Sequence, residues 1–219
     1  MCCMRRIPAQ VGYWERVAHQ KRFTHPLNIQ WMRRHFNRRD YVLDYGCGYG
    51  RTLAELKRAG YENVIGVDSS QGMLMRCRSA LPRVNLVRND GQVLPFRPQS
   101  IDAVLLFTLL TCLPQDDDQR ALVAEVRRVL RPGGVLYISD LLVNRDKRNV
   151  ERYERFAEEF GIYGVFELPE GVIIRHHRKE WVEELTARFD CIEYSPFSVI
   201  TMNGNASAAF QYLGRAQLA

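Results

Sequence analysis

Residues 42–51 read VLDYGCGYGR, an apolar run followed by an acid and then by three glycines at alternate positions. The apolar run predicts a buried strand, and the glycines predict a tight turn because glycine adopts positive φ angles without steric cost. Glycine-rich turns between a strand and a helix bind dinucleotides, phosphates or nucleosides. Residues further along the chain distinguish between these three kinds of ligand.

The spacing of the glycines argues against a dinucleotide or a phosphate loop. Counted from Gly46, the third glycine of a dinucleotide fingerprint would stand at position 51, which is Arg51. A phosphate loop would continue into Gly-Lys-Ser or Gly-Lys-Thr, and this chain does not. Asp44 would repel a pyrophosphate at the end of the strand, whereas it would suit a ligand with a cationic amino group.

An acid at the end of the next apolar run indicates a ribose. Asp68 closes the run VIGVD at 64–68, about twenty residues after the turn, where an acid accepts hydrogen bonds from ribose hydroxyls. The alternative is helix capping, since Ser69 and Ser70 are good capping residues for the helix that follows. We favour the ribose role, and the ligand is then an adenosine-type molecule.

The bulk composition is that of a globular protein without a membrane span. The chain has 219 residues, of which 46% are hydrophobic, enough for one domain with a sizeable core. The longest apolar run, 104–113, is well short of the roughly 20 residues that a spanning helix needs. No apolar segment of a secretory signal follows the first charges, so we expect a cytoplasmic protein. Six cysteines without CxxC spacing predict free thiols.

The net charge of +6 raises the question of a nucleic-acid partner. Arginine pairs recur along the chain, but acids are interleaved with them, which is typical of a solvated surface. We therefore consider a nucleic-acid partner unlikely.

Short apolar runs alternate with amphipathic stretches from residue 41 to residue 142. This alternation predicts βαβ crossovers and an α/β fold with a mostly parallel sheet covered on both faces. Strands are predicted at 41–46, 64–68, 84–90, 100–110 and 135–142, and helices at 51–60, 70–81 and 118–130.

Three segments lie outside this alternation. Residues 8–40 predict an N-terminal helical arm, and residues 143–190 predict a lid made of a charged helix, a Gly/Pro loop and a second helix. Residues 191–214 contain two strand-like runs separated by Asn-Gly-Asn, which predicts an antiparallel hairpin at the sheet edge. We expect a single domain over 1–219, with 41–142 as its donor-binding core.

Five stretches in order resemble the class I S-adenosylmethionine-dependent methyltransferases. They are VLDYGCGYGR, VIGVDSSQGML, VRNDGQVLPF, SIDAVLLFTLLTCL and LRPGGVLYISD. The resemblance implies a Rossmann-like, mostly parallel seven-stranded sheet and S-adenosyl-L-methionine as the cofactor, with S-adenosyl-L-homocysteine as the product. The residues expected at the cofactor are Tyr13, Asp44, Gly46, Cys47, Gly48, Asp68, Ser69, Met73, Asn89, Asp90, Gly91 and Phe107. Packing is the alternative role for Met73, and the arm residues Tyr13 and Trp14 are both candidates for covering the donor.

The resemblance leaves the methyl acceptor open. Base-amine methyltransferases carry Asp/Asn-Pro-Pro-aromatic after the fourth strand, and cytosine enzymes carry Pro-Cys, but FTLLTCLP stands there in this chain. We expect a small organic molecule methylated at O, N or S, no membrane partner, and we allow for a homodimer. An RNA or protein methyltransferase and a non-catalytic cofactor-binding partner protein remain alternatives. The acids Asp116 to Asp118 are consecutive and predict a helix N-terminus instead of a metal site.

Candidate bases lie in the arm, in the lid and at the end of the fifth strand. Histidine titrates near neutral pH, so His25, His176 or His177 could accept a proton from the acceptor. Neighbouring residues in an extended segment point to opposite sides, so at most one of His176 and His177 faces the ligand. Asp140 ends the fifth strand and is a further candidate. Five lid aromatics suggest a planar or apolar acceptor: Tyr153, Phe156, Phe160, Tyr163 and Phe166.

Overall fold

A computed structural model describes residues 10–91 and 93–217. Residues 8 and 9 of the expected arm, together with Cys2 and Cys3, lie outside the described part of the chain.

A seven-stranded sheet forms the centre of the molecule, as the sequence predicts. Its strand order is β3-β2-β1-β4-β5-β9-β8, with parallel pairing from β3 to β5 and antiparallel pairing of β9 with both β5 and β8. The strands are β1 (Tyr41–Tyr45), β2 (Asn63–Asp68), β3 (Asn85–Arg88), β4 (Ile101–Phe107), β5 (Leu130–Leu141), β8 (Phe189–Ile200) and β9 (Ala206–Ala216).

The strand that starts the glycine motif lies in the middle of this sheet. Val42 and Leu43 of β1 are fully buried, and β1 pairs with β2 on one side and β4 on the other. Because these strands are parallel, the turns after them all lie at one edge of the sheet.

Helices cover both faces of the sheet. They are α1 (Val11–Val17), α2 (Ile29–His35), α3 (Arg51–Arg58), α4 (Gln71–Ala80), α5 (Asp116–Val129), α6 (Lys147–Phe160) and α7 (Lys179–Leu185). One apolar core packs α5 and α7 against the sheet through residues such as Val126 and Val182. A second core packs α2, α3 and α4 against the other face through residues such as Met32 and Leu53. These two layers explain the near-continuous apolar runs of the central strands.

The segments outside the alternation take the forms predicted, with one addition. The arm contains α1 and α2, the lid contains α6 and α7, and β8 and β9 form the edge hairpin. Helix α5 begins at Asp116, which confirms that the three acids open a helix. The lid also contains a small antiparallel hairpin, β6 (Val165–Glu167) with β7 (Ile173–Arg175), where the sequence predicts a loop.

None of the helices formed by the described residues is both long and apolar enough to span a bilayer.

Candidate functional site

A cavity of about 1220 Å³ opens at the carboxyl ends of the parallel strands. Its walls come from the first turn after β1, the ends of β2, β3 and β4, the arm, helix α6, strand β7 and the β8–β9 loop. This edge is where ligands bind in open parallel sheets. The cavity therefore joins the core, the arm and the lid around one space.

The first N–H groups of the glycine turn are already hydrogen-bonded within the protein. The N–H groups of Gly46 and Cys47 donate to Val67 O at 2.8 and 3.0 Å, and that of Gly48 donates to Asp68 Oδ2 at 2.7 Å. Gly46 and Gly48 have φ angles of 79° and 54° and both line the cavity. An anion cradle needs unpaired N–H groups, so this turn is suited to a ligand cation or to a close apolar approach.

Asp44 lies fully buried at the end of β1 and does not line the cavity. Both of its carboxylate oxygens are buried without a hydrogen-bond partner. Burial raises the pKa of Asp44 to about 7 although Arg51 opposes the shift. An unpaired buried carboxylate costs free energy in the empty protein, and a nearby ligand cation would reduce that cost.

Asp68 lines the cavity and is fixed by the backbone around it. Its Oδ2 accepts from Gly48 N at 2.7 Å, and its Oδ1 accepts from Ser70 N at 2.9 Å. The carboxylate lines the cavity, and the acceptor capacity that these backbone hydrogen bonds leave can take up a hydroxyl group. Capping of α4 falls to Ser70, whose Oγ accepts from Met73 N at 3.1 Å. Ser69 and Met73 also line the cavity.

The ends of β3 and β4 complete the same wall. Asn89, Asp90, Gly91 and Phe107 all line the cavity, as predicted. Asn89 shapes its own turn, since its Oδ1 accepts from Gly91 N at 3.2 Å. Asp90 is largely exposed at the rim.

Besides Asp44, two predicted cofactor residues are not brought to the cavity. The buried Tyr13 points its hydroxyl toward Glu170 at 3.4 Å, and its neighbour Trp14 lines the cavity instead. The Cys47 thiol points back toward Gly66 between sheet and helix, and burial raises its pKa well above the ordinary value. Tyr13 and Trp14 are adjacent on α1, and the sequence does not reveal which one faces the ligand.

His177 and Asp140 are also outside the cavity. His177 is fully buried, with Nδ1 at 3.1 Å from Leu141 O and Nε2 at 2.9 Å from the side-chain amide of Gln119. Burial lowers the pKa of His177 to about 3. Asp140 accepts from Leu141 N at 2.7 Å and from Thr111 N at 3.2 Å, which fixes the turn after β4. Both side chains have structural partners, and the structure gives neither of them access to a substrate.

His176 lines the cavity on the opposite side of the same extended segment. The Tyr153 hydroxyl lies 2.6 Å from its Nδ1, and the side-chain amide nitrogen of Asn144 lies 3.3 Å away. That hydroxyl already accepts from Asn144 N at 3.2 Å, so its own hydrogen points to Nδ1. The Tyr153 hydrogen faces Nδ1, and the neutral ring therefore carries its hydrogen on Nε2. Burial, with Arg152 adding to it, lowers the pKa of His176 well below its ordinary value. His176 offers the cavity an N–H donor.

His25 lines the cavity from the arm. Its Nδ1 lies 3.1 Å from the Ser139 hydroxyl, and its ring contacts Phe197 edge-on. Burial lowers the pKa of His25 to about 4, with a smaller contribution from Arg51. At neutral pH this ring is uncharged and only weakly basic.

Several cavity residues were not predicted from the sequence. Gln10 and Phe23 extend from the arm, and the ring of Phe23 packs on Gly48, where a Cβ would lie 2.4 Å from it. Thr108 after β4 has a φ of 53°, a strained value for a threonine next to a ligand site.

The five lid aromatics do not line the cavity, because they pack among themselves and against α6. Helix α6 presents Arg148 and Arg152 to the cavity instead. The four-residue spacing of these two arginines, which places them on one face of a helix, was the signal in the sequence that could have predicted this.

Within the described part of the chain, no group of three or more His, Cys, Asp or Glu side chains is arranged to hold a metal ion.

Sheet order, glycine turn and ribose-type acid together form the arrangement of the class I S-adenosylmethionine-dependent methyltransferases, the class that this chain resembles. Residues 42–134 match the family model described as a methyltransferase domain. A solved S-adenosylmethionine-dependent methyltransferase from Methanosarcina mazei superposes with a TM-score of 0.83 at 23% identity, covering 89% of this chain and 100% of the other.

Curated relatives match a little under half of the chain. The phthiotriol/phenolphthiotriol dimycocerosates methyltransferase of Mycobacterium tuberculosis is 37% identical over 108 residues, 48% of this chain and 39% of that protein. The trans-aconitate 2-methyltransferase of an Azoarcus species is 40% identical over 99 residues, 44% of this chain and 37% of that protein. The chain thus spans about two fifths of the length of these relatives.

Proposed function

We propose that this protein transfers the methyl group of S-adenosylmethionine to an O, N or S atom of a small organic molecule. The observation that carries this proposal is the single cavity that joins the donor residues at the strand ends to a second wall made by the arm, α6 and β7. Ligand sites commonly have volumes of roughly 300–1,000 Å³. A cavity of about 1220 Å³ can hold a nucleoside donor and a second small molecule together.

The residues present fit the donor. Asp68 is placed to accept from ribose hydroxyls, and the turn at Gly46 and Gly48 has spent its N–H groups, which disfavours an anion. Asp44 below the turn supplies negative charge for an amino group. Residues 41–142 are then the donor-binding core, and 143–190 form the acceptor side.

S-adenosylmethionine supplies an activated methyl group on a sulfonium, so the protein's main tasks are alignment and exclusion of water. A general base is needed only when the nucleophile arrives protonated. Neither cavity histidine is a strong base: the pKa of His25 is lowered to about 4, and His176 presents N–H. This favours an acceptor whose nucleophilic atom is already unprotonated at neutral pH.

The named relatives support a small-molecule acceptor without identifying it. One acts on phthiotriol-type dimycocerosates and another on trans-aconitate, which are different chemical classes. Both matches extend over less than half of this chain, so they leave its acceptor open.

The test is binding of S-adenosylmethionine and S-adenosylhomocysteine by isothermal titration calorimetry. We expect both to bind, and we expect Asp68→Ala to weaken binding by about 1–3 kcal/mol, the scale of a lost charge-assisted hydrogen bond. Asp190→Ala is the control, because Asp190 is exposed on β8 and does not line the cavity. Failure of the unsubstituted protein to bind either ligand at millimolar concentration would contradict the proposal.

A further inference from the structure

The wall made by α6, β7 and the β8–β9 loop carries positive charge. Arg148 and Arg152 stand four residues apart on α6, so they lie on the same face, and both line the cavity. The acids that line the cavity are Asp68, Asp90, Asp117 and Asp118, which lie at the ends of β2 and β3 and at the start of α5. Among the described residues, the α6 wall has no lining carboxylate.

Arg152 is held in place without a counter-charge. Its guanidinium carbon lies 3.7 Å from the centre of the Phe166 ring, and its Nε is buried without a hydrogen-bond partner. No ion pair joins Arg152 to a carboxylate in the part of the chain that the structure describes. Burial lowers the pKa of Arg152 below its usual range, and neighbouring Arg148 also lowers it. Besides the Phe166 ring, the Tyr153 hydroxyl contacts Arg152, but neither carries a negative charge. A partly buried cation without an ionic partner costs free energy that a bound anion would recover.

A third donor lies on the same wall. His176 directs Nδ1 to Tyr153 and Asn144, which leaves Nε2–H as the hydrogen that a ligand can reach. A carboxylate accepts such a hydrogen bond while arginines neutralise its charge.

The charge balance indicates a monoanion. Arg148 is already 3.9 Å from Asp146, so two arginines and one acid leave a single uncompensated positive charge. A carboxylate matches that charge, whereas a phosphate ester carries up to two negative charges at neutral pH. Leu168, Ile174 and Met202 add apolar surface to this wall, and the other lining residues near the β8–β9 loop are polar: Thr201, Asn203, Asn205 and Ser207.

We propose that the methyl acceptor is a carboxylic acid with an apolar body, bound as its anion by Arg148, Arg152 and the Nε2–H of His176. That the bound acid is the methyl acceptor rests on the proposed function, but the anion site itself can be tested without methyl transfer. The acid arrives ionised, which agrees with the absence of a strong base among the described cavity residues.

The experiment measures binding of two matched probes, trans-cinnamate and its neutral amide trans-cinnamamide, by ligand-observed NMR on protein with and without S-adenosylhomocysteine. We expect cinnamate to bind about 10- to 100-fold more tightly than the amide, as for a charge-assisted contact. Arg152→Met should remove this preference while S-adenosylhomocysteine affinity stays unchanged. Arg148→Met, at a more exposed position, provides a second variant with less effect on folding, and it should reduce the preference in the same direction.

Arg145→Met is the matched control, because Arg145 is exposed just before α6 and does not line the cavity. It should bind both probes as the unsubstituted protein does. Equal binding of acid and amide, no binding of cinnamate, or tighter binding of phenyl phosphate than of cinnamate would overturn the proposal. Arginine-dependent cinnamate binding in a protein that binds no S-adenosylhomocysteine would support the anion site and contradict the proposed function.

Discussion

At the scale of single residues, Asp44 shows a conflict between folding and ligand binding. Its side chain is 1% exposed, and neither carboxylate oxygen has a hydrogen-bond partner. A buried carboxylate without partners destabilises the empty protein whenever it is ionised. A buried polar group without hydrogen-bond partners commonly belongs to a functional site. The same charge beneath the glycine turn would favour a ligand carrying an ammonium group.

Asp44→Asn should therefore stabilise the empty protein and weaken donor binding. Since burial raises the pKa of Asp44 to about 7, the stabilisation should be clear at about pH 8 and small at about pH 5. We expect about 1–3 kcal/mol at the higher pH, because the buried amide also lacks partners. Urea unfolding measures the stability and calorimetry with S-adenosylhomocysteine measures the affinity. A variant that is less stable at both pH values would show that the carboxylate has a structural partner.

Tyr153 controls which nitrogen of His176 carries the hydrogen. Tyr153→Phe removes the 2.6 Å contact and leaves Nδ1 with the longer contact to Asn144. Losing one buried hydrogen bond should cost about 1 kcal/mol of stability. We expect a mixture of tautomers in long-range ¹H–¹⁵N NMR spectra, where the unsubstituted protein shows Nε2–H alone. Acceptor KM should rise, and S-adenosylhomocysteine affinity should not change. An unchanged histidine spectrum in the variant would contradict this assignment.

At the scale of elements, helix α1 is attached to the ligand wall by two polar side chains. Glu15 accepts from the Ser70 hydroxyl at 2.7 Å and from Gly72 N at 2.9 Å at the start of α4. Gln10 donates to Ile173 O and accepts from Ile173 N, both at 2.6 Å, which attaches the arm to β7. The arm thus connects the donor side of the cavity with the lid.

Glu15→Gln should loosen α1 from α4. The Ser70 hydrogen bond, and next to it that of Gly72, lower the pKa of Glu15, so the interaction depends on the charged form. The amide would keep one acceptor oxygen and lose the charge that favours a helix N-terminus. We expect faster hydrogen exchange at Gly72 and faster dissociation of S-adenosylhomocysteine. Glu158→Gln, an exposed change on α6, is the control. Equal dissociation rates for the two variants would show that α1 does not retain the donor.

The helices and strands were more predictable from the sequence than the orientation of the side chains that lie between them. Periodicity and turn residues give the five core strands, the edge hairpin and the start of α5, because each depends on local patterns. The β6–β7 hairpin was missed since its strands have three residues each and pair through lid contacts distant from the core. The sequence likewise cannot show that Trp14 faces the cavity and Tyr13 does not. That choice depends on Glu170, which is far away in the chain.

At the scale of the whole molecule, buried acids and buried histidines oppose each other in the pH dependence of stability. Burial lowers the pKa of His25 to about 4 and that of His177 to about 3. Between these values and the ordinary pKa of histidine, unfolding therefore takes up protons. Burial raises the pKa of Asp44 and Asp140 to about 7, so unfolding releases protons between about pH 4 and 7. As pH rises through this window, the histidines increase stability and the acids decrease it. The two effects largely cancel in the unsubstituted protein.

Removing one of the buried acids should make the free energy of unfolding rise more steeply with pH. Asp140 is mostly protonated in the folded state and mostly ionised in the unfolded state across this window, so it lowers the free energy of unfolding by about 1 kcal/mol for each pH unit. Asp140→Asn should be destabilised at low pH, where it loses one of the contacts to Thr111 N and Leu141 N. Its stability should then rise relative to the unsubstituted protein by that amount per pH unit. Urea unfolding at about pH 4.5, 5.5 and 6.5 measures the slope, with the exposed Asp190→Asn as control. Parallel curves for Asp140→Asn and the unsubstituted protein would mean that Asp140 is ionised in both states, and that the histidine effect is balanced by other groups.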